Sequence, residues 1–244
     1  MKFSIALPLN RAIRATTLAA VLLIIGASGM PGCVAVATSL VTNAVTSPDL
    51  WATLLAPRGL GGPYRESTEF YKKADWKGLE VHATAALAAN PTSPDWMVIK
   101  GYAMVLQNKF EEPVALMQRA HEINPEDIHA MNLWAAALRG LVASGAPGKS
   151  ANSERAIMVL EKASRIDTTS AATFYLLGES YAEQKSWVKA SQVFEEAVRL
   201  APESSLVWFG AGQAYKAQGD LEKFSAALDV LRRIDPEKAR ELAR

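Results

Sequence analysis

The string most suggestive of chemistry in this 244-residue chain is SGAPGKS, residues 144–150, which ends like a phosphate-binding loop. Such a loop reads G-x-x-x-x-G-K-[ST], because backbone N–H groups after its first glycine wrap the phosphates. Counting back from Gly148 places Ala143 where that glycine is needed. A phosphate loop also follows a buried strand, whereas this string follows a helical pattern. We therefore predict that the chain binds no nucleotide and that the string is a flexible connection.

The other reactive side chains do not form a recognisable set. His82, His121 and His129 lack the spacing of metal ligands. Ser180 lies in GESYA, which is not the G-x-S-x-G of a nucleophile. The net charge of +1 supplies no basic footprint for nucleic acid. We predict no catalytic residue, cofactor or metal, and hence no enzyme and no nucleic-acid partner.

The N-terminus has the pattern of an export signal. Lys2, Arg11 and Arg14 are followed by the uncharged apolar run ATTLAAVLLIIGASGM. Residues 1–32 are therefore predicted to be a signal peptide. The only cysteine, Cys33, comes directly after Met-Pro-Gly, which resembles a bacterial lipobox and departs from it at Pro31.

The lipobox resemblance implies that Cys33 is lipidated and anchors the protein to the outer membrane, facing the periplasm. Val34 is not the aspartate that commonly retains such proteins at the inner membrane. Two alternatives stay open: cleavage after Ala37, which would release a soluble periplasmic protein, or no cleavage, which would leave an inner-membrane anchor within residues 15–48.

A repeat with a period of 34 residues organises the rest of the chain. Gly178 and Gly212, Tyr181 and Tyr215, and Pro202 and Pro236 are each 34 residues apart. This pattern resembles the tetratricopeptide repeat (TPR) family, whose eight signature positions all match between residues 171 and 204: Phe174, Leu177, Gly178, Tyr181, Ala190, Phe194, Ala197 and Pro202. The resemblance implies an all-α solenoid of about five helix hairpins in a right-handed superhelix.

The period predicts these units: 60–93, 94–127, 128–170, 171–204 and 205–238, followed by residues 239–244 as the end of a capping helix. Residues 33–59 would form a tether or a short capping helix. The third unit has 9 residues too many, and we expect them to form a loop before its second helix. The second helices should start after these capping residues: Asp75, Lys109, Asn152, Ser186 and Asp220.

The family binds extended peptides or partner helices on the concave face, which its first helices line. The family's groove positions are the second, fifth, ninth, twelfth and thirteenth of each repeat. Carried onto this chain, they give candidates that include Tyr71, Lys72, Tyr102, His129, Asn132, Arg139, Tyr175, Glu179, Glu183, Phe209, Gln213 and Lys216. We expect a non-enzymatic scaffold that binds a protein or peptide in an envelope assembly. The alternative is a transport component that captures an apolar small molecule inside the superhelix.

Overall fold

The computed structural model describes residues 64–244, and their side chains from Glu66 onward. The chain divides into two units, Met1–Cys33 and Val34–Arg244, and all described residues belong to the second. The predictions for the signal peptide, for Cys33 and for residues 33–59 lie outside the described residues. Within the described range the regular structure is entirely helical: α1 Tyr64–Lys72, α2 Trp76–Ala89, α3 Pro94–Val105, α4 Glu111–Ile123, α5 Ile128–Ala143, α6 Lys149–Ile166, α7 Ala171–Glu183, α8 Trp187–Leu200, α9 Ser205–Gln218, α10 Leu221–Ile234 and α11 Pro236–Ala243.

Consecutive helices pair as antiparallel hairpins, and the first helix of each hairpin from α3 onward packs on the next first helix. Gly178 shows why the signature needs a small residue, and Gly210 on the next first helix makes the same contact. A Cβ on either glycine would lie 2.7–2.9 Å from ring atoms of Phe194. Phe194 is itself fully buried and fills the space between α7 and α9. The predicted all-α solenoid of hairpins is thus confirmed.

Capping residues set most helix starts. Asp75 and Asp220 accept hydrogen bonds from backbone N–H groups of α2 and α10, as predicted. The prediction is wrong at two places, because Phe110 rather than Lys109 precedes α4, and Gly148 rather than Asn152 precedes α6. A series that the sequence prediction overlooked caps the first helices with a side-chain oxygen: Ser93, Asp127, Ser170 and Ser204.

The extra residues of the third unit do not form a projecting loop, contrary to the prediction. Helices α5 and α6 have 16 and 18 residues, against 13 and 14 in α7 and α8, so the helices absorb most of the excess. The extended end of α5 is packed, since a Cβ on Gly140 would lie 2.3 Å from the ring of Phe110. Only residues 144–148 connect the two helices.

The C-terminal helix α11 covers the last hairpin. Its Ala239 and Leu242 are buried in a cluster with Phe209, Leu228 and Leu231. A Cβ on Gly212 would meet the end of the Leu242 side chain at 2.4 Å, so α9 and α11 approach closely. In the part of the chain that the structure describes, no helix has the length and apolar character needed to cross a bilayer.

Candidate functional site

The Gly-Lys-Ser string stands at the start of α6, directly after the connection from α5. Gly145 and Gly148 adopt positive φ angles of 79° and 80°, which allow the tight connection. Lys149 and Ser150 already belong to the first turn of α6, and the Ser150 hydroxyl donates to Glu154. A helix, α5, precedes the string where a phosphate loop would follow a strand. Gly145 and Gly148 therefore form the tight turn between α5 and α6.

The histidines serve packing at separate places. The His82 ring lies between those of Phe70 and Trp96, at centroid distances of 5.5 and 5.3 Å. His121 packs against Trp134, and burial followed by the charge of Lys162 lowers its pKa. A neutral His121 can therefore accept a hydrogen bond from the Lys162 ammonium 3.2 Å away. Residues 66–244 contain no group of three potential metal ligands.

The predicted groove residues of the first two hairpins differ in accessibility. Tyr71 is half-buried and packs on Trp76, while Lys72 is exposed and pairs with Glu69 at 2.8 Å. Tyr102 on α3 is only 1% exposed, and burial raises its phenol pKa well above the usual range. The open part of the predicted groove therefore does not include Tyr102.

In the third hairpin, the predicted groove residues make contacts between repeats. His129 is half-buried at the start of α5. The Asn132 amide donates to Thr173 Oγ1 at 2.9 Å, which joins α5 to α7. Thr173 is fully buried and also donates to Ser170, the cap of α7. Asn132 thus stabilises the stacking of two repeats.

A buried ionic cluster joins the same two helices. Arg139 on α5 is 1% exposed and donates to Glu179 at 3.2 Å and to Glu183 at 2.7 and 3.1 Å. Glu179 and Glu183 lie four residues apart on α7, so both carboxylates face one guanidinium. The side chain of Glu183 is 34% exposed and connects the cluster to solvent.

The electrostatics of this cluster are dominated by burial. Burial raises the pKa of Glu179, and Arg139 opposes this increase. Burial alone would lower the pKa of Arg139, but Glu183 and Glu179 outweigh it and hold that pKa above its usual range. Burial also raises the pKa of Tyr175 well above the ordinary phenol value. The cluster therefore fastens α5 to α7 through Nε and Nη2 of Arg139, whereas its buried Nη1 makes no hydrogen bond among the described residues.

The last hairpin leaves an accessible concave surface. Phe209 is 8% exposed and belongs to the cluster under α11. Gln213 is exposed, and so is Lys216, whose ammonium donates to the carbonyl of Leu242 at 3.0 Å. We define the open concave patch by its exposed or half-buried groove positions on α7 and α9: Ala172, Ala182, Glu183, Leu206, Gln213, Lys216 and Ala217.

The sequence-predicted groove therefore divides into two sets. Six of its residues are buried and cannot touch a ligand in this conformation: Tyr102, Asn132, Arg139, Tyr175, Glu179 and Phe209. Prediction from the sequence missed Thr173 and Ser170, which complete the polar contact of Asn132. The recurrence of Ser or Asp before each first helix was a usable signal for Ser170.

Stacked helix hairpins of this kind define a helical-repeat protein. A family model described as tetratricopeptide repeat matches residues 182–243. A comparison with curated protein sequences finds no match. The matched residues cover α8 to α11, which is only part of the chain, and the similar solved structures show that the fold of the described hairpins is that of tetratricopeptide-repeat proteins.

Solved TPR structures share the fold at low sequence identity. A TPR protein of Thermus thermophilus, TTC0263, has a TM-score of 0.63 and 18% identity, over 74% of this chain and 95% of that one. MamA of Desulfovibrio magneticus RS-1 has a TM-score of 0.59 and 18% identity, over 72% and 99%. YrrB, described as a TPR protein with an unusual peptide-binding site, has a TM-score of 0.54 and 15% identity, over 80% and 97%.

Proposed function

We propose that this chain is a non-enzymatic scaffold that binds a protein or peptide on its concave face. The observation that carries the proposal is the open concave patch, which combines apolar, amide, acidic and basic groups on the rigid helices α7 and α9. A polypeptide offers matching apolar side chains and backbone hydrogen-bonding groups. The peptide-binding site described for YrrB supports the same use of the fold.

The burial of the predicted residues decides which variants test this function. Tyr175 and Phe209 are 5% and 8% exposed, so truncating them would loosen the repeats. Gln213 is exposed on α9, and Gln192 is an equally polar exposed residue on α8, outside the concave face. Partners recovered from cross-linked cells should be lost with Gln213→Arg and kept with Gln192→Arg. Equal recovery by both variants would exclude the open concave patch.

We further propose that the scaffold is a lipoprotein held in the outer membrane and facing the periplasm, where it organises an envelope assembly. The support is the basic and apolar N-terminal pattern and the single Cys33 behind Gly32. Labelled palmitate should enter the wild-type chain and not a Cys33→Ser variant. Incorporation into that variant, or none into the wild type, would show that the lipobox interpretation is wrong.

The alternative of small-molecule capture calls for an enclosed apolar cavity. One cleft among the described residues has a volume of 430 Å³ and is open to solvent. Two lysines, Lys185 and Lys189, border it beside Trp187 and Val188. It lies at the turn of the fourth hairpin, so this cleft is not the enclosed apolar cavity that the alternative needs.

A further inference from the structure

A cleft of 430 Å³ opens to solvent where the fourth hairpin meets the fifth. It is lined by the turn before α8, by the first turn of α8 and by the end of α9: Lys185, Ser186, Trp187, Val188, Lys189, Ala217 and Gln218. The Ser191 hydroxyl of α8 donates to Gln218 Oε1 at 2.7 Å, which holds the two helices together at the cleft. Ala217 also belongs to the open concave patch, so the cleft adjoins the surface proposed to bind a partner.

Val188 gives the cleft an apolar wall that packing within the array does not explain. Its position is 55% exposed. The equivalent position is charged in the four other repeats: Lys77, Glu111, Glu154 and Glu222. Trp187 beside it is half-buried, and tryptophan is enriched among the residues that dominate binding energy. The fourth repeat thus places apolar surface where the others carry charge.

Lys185 is held in an uncommon backbone conformation at the edge of the cleft. Its φ angle is 58°, in the left-handed region that is unfavourable for residues other than glycine. The equivalent turns of the first, second and fifth repeats adopt the same conformation with Ala74, Asn108 and Gly219. Among these turns only Lys185 carries a charge. A lysine kept at a strained turn indicates a use for its side chain other than stability.

The two cations of the cleft have no carboxylate partner among the described residues. Neither Lys185 nor Lys189 forms an ion pair with any residue between Glu66 and Arg244, and the Lys189 ammonium lies 5.3 Å from the centroid of the Tyr181 ring. The acid of the adjoining open concave patch, Glu183, already accepts hydrogen bonds from Arg139. A lining with two cations and no acid is complementary to an anionic ligand.

We propose that the cleft binds an acidic segment of the partner, which places a large apolar side chain against Trp187 and Val188 and neighbouring carboxylates at Lys185 and Lys189. This inference rests on the proposed function, because it assigns the chemistry of the peptide that the open concave patch binds. The volume of 430 Å³ lies within the range of about 300–1,000 Å³ that is typical of ligand sites. The open shape suits a side chain of a polypeptide that passes over the cleft, whereas a free small molecule would keep much of its surface in water.

Fluorescence anisotropy of a labelled peptide tests the charge of the cleft on the full chain. The probe is a short peptide in which glutamates flank a central phenylalanine. The double variant Lys185→Glu/Lys189→Glu should raise its dissociation constant at least about tenfold, because like charges then meet in the cleft. The matched control Lys73→Glu/Lys77→Glu makes the same change in net charge at two exposed lysines beside Trp76 in the first hairpin. That control should change the dissociation constant by less than about twofold, because salt screens distant charges.

The same assay tests the apolar wall. Val188→Gln should raise the dissociation constant of the probe at least about threefold, because it removes apolar area from the contact without changing charge. Val81→Gln, at a position of α2 that is 63% exposed, is the matched control and should leave the affinity unchanged. A second peptide with glutamines in place of the glutamates should bind the wild-type chain at least about tenfold more weakly, because it offers no charge to the lysines.

The proposal would be overturned if the glutamate peptide did not bind the wild-type chain, if it bound the two double variants equally, or if the glutamine peptide bound as tightly. Photo-cross-linking from position 213 in cells separates this proposal from the proposed function. A polypeptide adduct that survives Lys185→Glu/Lys189→Glu would overturn the role of the cleft and leave the concave-face scaffold standing. The absence of any adduct from the wild-type chain would contradict the scaffold itself.

Discussion

Replacing Arg139 with methionine should destabilise the array strongly. The substitution removes three hydrogen bonds to carboxylates, one to Glu179 and two to Glu183. Each charged hydrogen bond contributes about 1.5–3 kcal/mol to stability. Part of this loss is offset, because a methionine side chain is buried without the desolvation cost of a guanidinium. Glu179, whose side chain is 7% exposed, would keep a buried charge beside Glu183. We expect a loss of about 3–5 kcal/mol, as for other buried pairs that lose one partner.

Urea unfolding at pH 7, followed by circular dichroism, measures this loss. The matched control is Arg232→Met, which removes an ion pair to Asp229 whose side chains are 65% and 66% exposed. That control should cost less than about 1 kcal/mol, because solvent screens an exposed pair. Similar losses in the two variants would refute the role of the buried cluster.

The pH dependence separates lost charge pairing from lost packing. Burial already raises the pKa of Glu179 in the folded protein, and Arg139 opposes that increase. Without Arg139, the folded-state pKa rises further above the unfolded value of about 4.3. The folded variant then binds the extra proton more readily than the unfolded chain, so its free energy of unfolding recovers as the pH falls. A deficit that stays constant between pH 7 and pH 5 would contradict this reasoning.

Three further predictions concern the repeat framework, each measured by urea unfolding. Two hairpin turns need a positive φ, which is 58° at Lys185 and 84° at Gly219. Lys185→Gly should therefore stabilise the protein by about 1 kcal/mol, and Gly219→Ala should destabilise it by a similar amount. Changes of the opposite sign would be inconsistent with these turns. Gly178→Ala should lower the free energy of unfolding by about 1–2 kcal/mol, because the clash with the fully buried Phe194 exceeds the gain in helix propensity. Unchanged stability would mean that the Phe194 ring can move aside. Asp220→Ala should lower the free energy of unfolding by about 0.5–2 kcal/mol. Ser186→Ala should lower it less, because the Ser186 side chain makes no capping hydrogen bond. Equal losses would show that the loss in Asp220→Ala does not come from the missing cap.

The fold was predictable because its determinants recur in the sequence. A small residue at Gly178, an aromatic ring at Phe194 and a proline at Pro202 each solve a local packing or termination problem within one hairpin. Helix α8 ends at Leu200, two residues before Pro202, as the missing proline donor requires. Each of these effects acts over a few residues or between adjacent helices.

The site was less predictable because it depends on what covers each groove position. Tyr102 and Gln213 occupy the same position of their repeats, yet the first is buried and the second exposed. Their difference arises from contacts beyond the repeat, which a period of 34 residues does not encode. The extra residues of the third unit were predicted to form a loop because the period does not show what they pack against. They extend α5 and α6 instead, and the added end of α5 packs on Phe110.

A photo-cross-linking amino acid at position 213, compared with one at position 192, tests whether a polypeptide binds the open concave patch. We expect a discrete polypeptide adduct from position 213 in intact cells and none from position 192. The adduct should disappear when Ala172→Arg introduces a long charged side chain into the open concave patch. Adducts of equal yield from both positions, or an adduct that is insensitive to Ala172→Arg, would contradict a scaffold that binds its partner on the concave face.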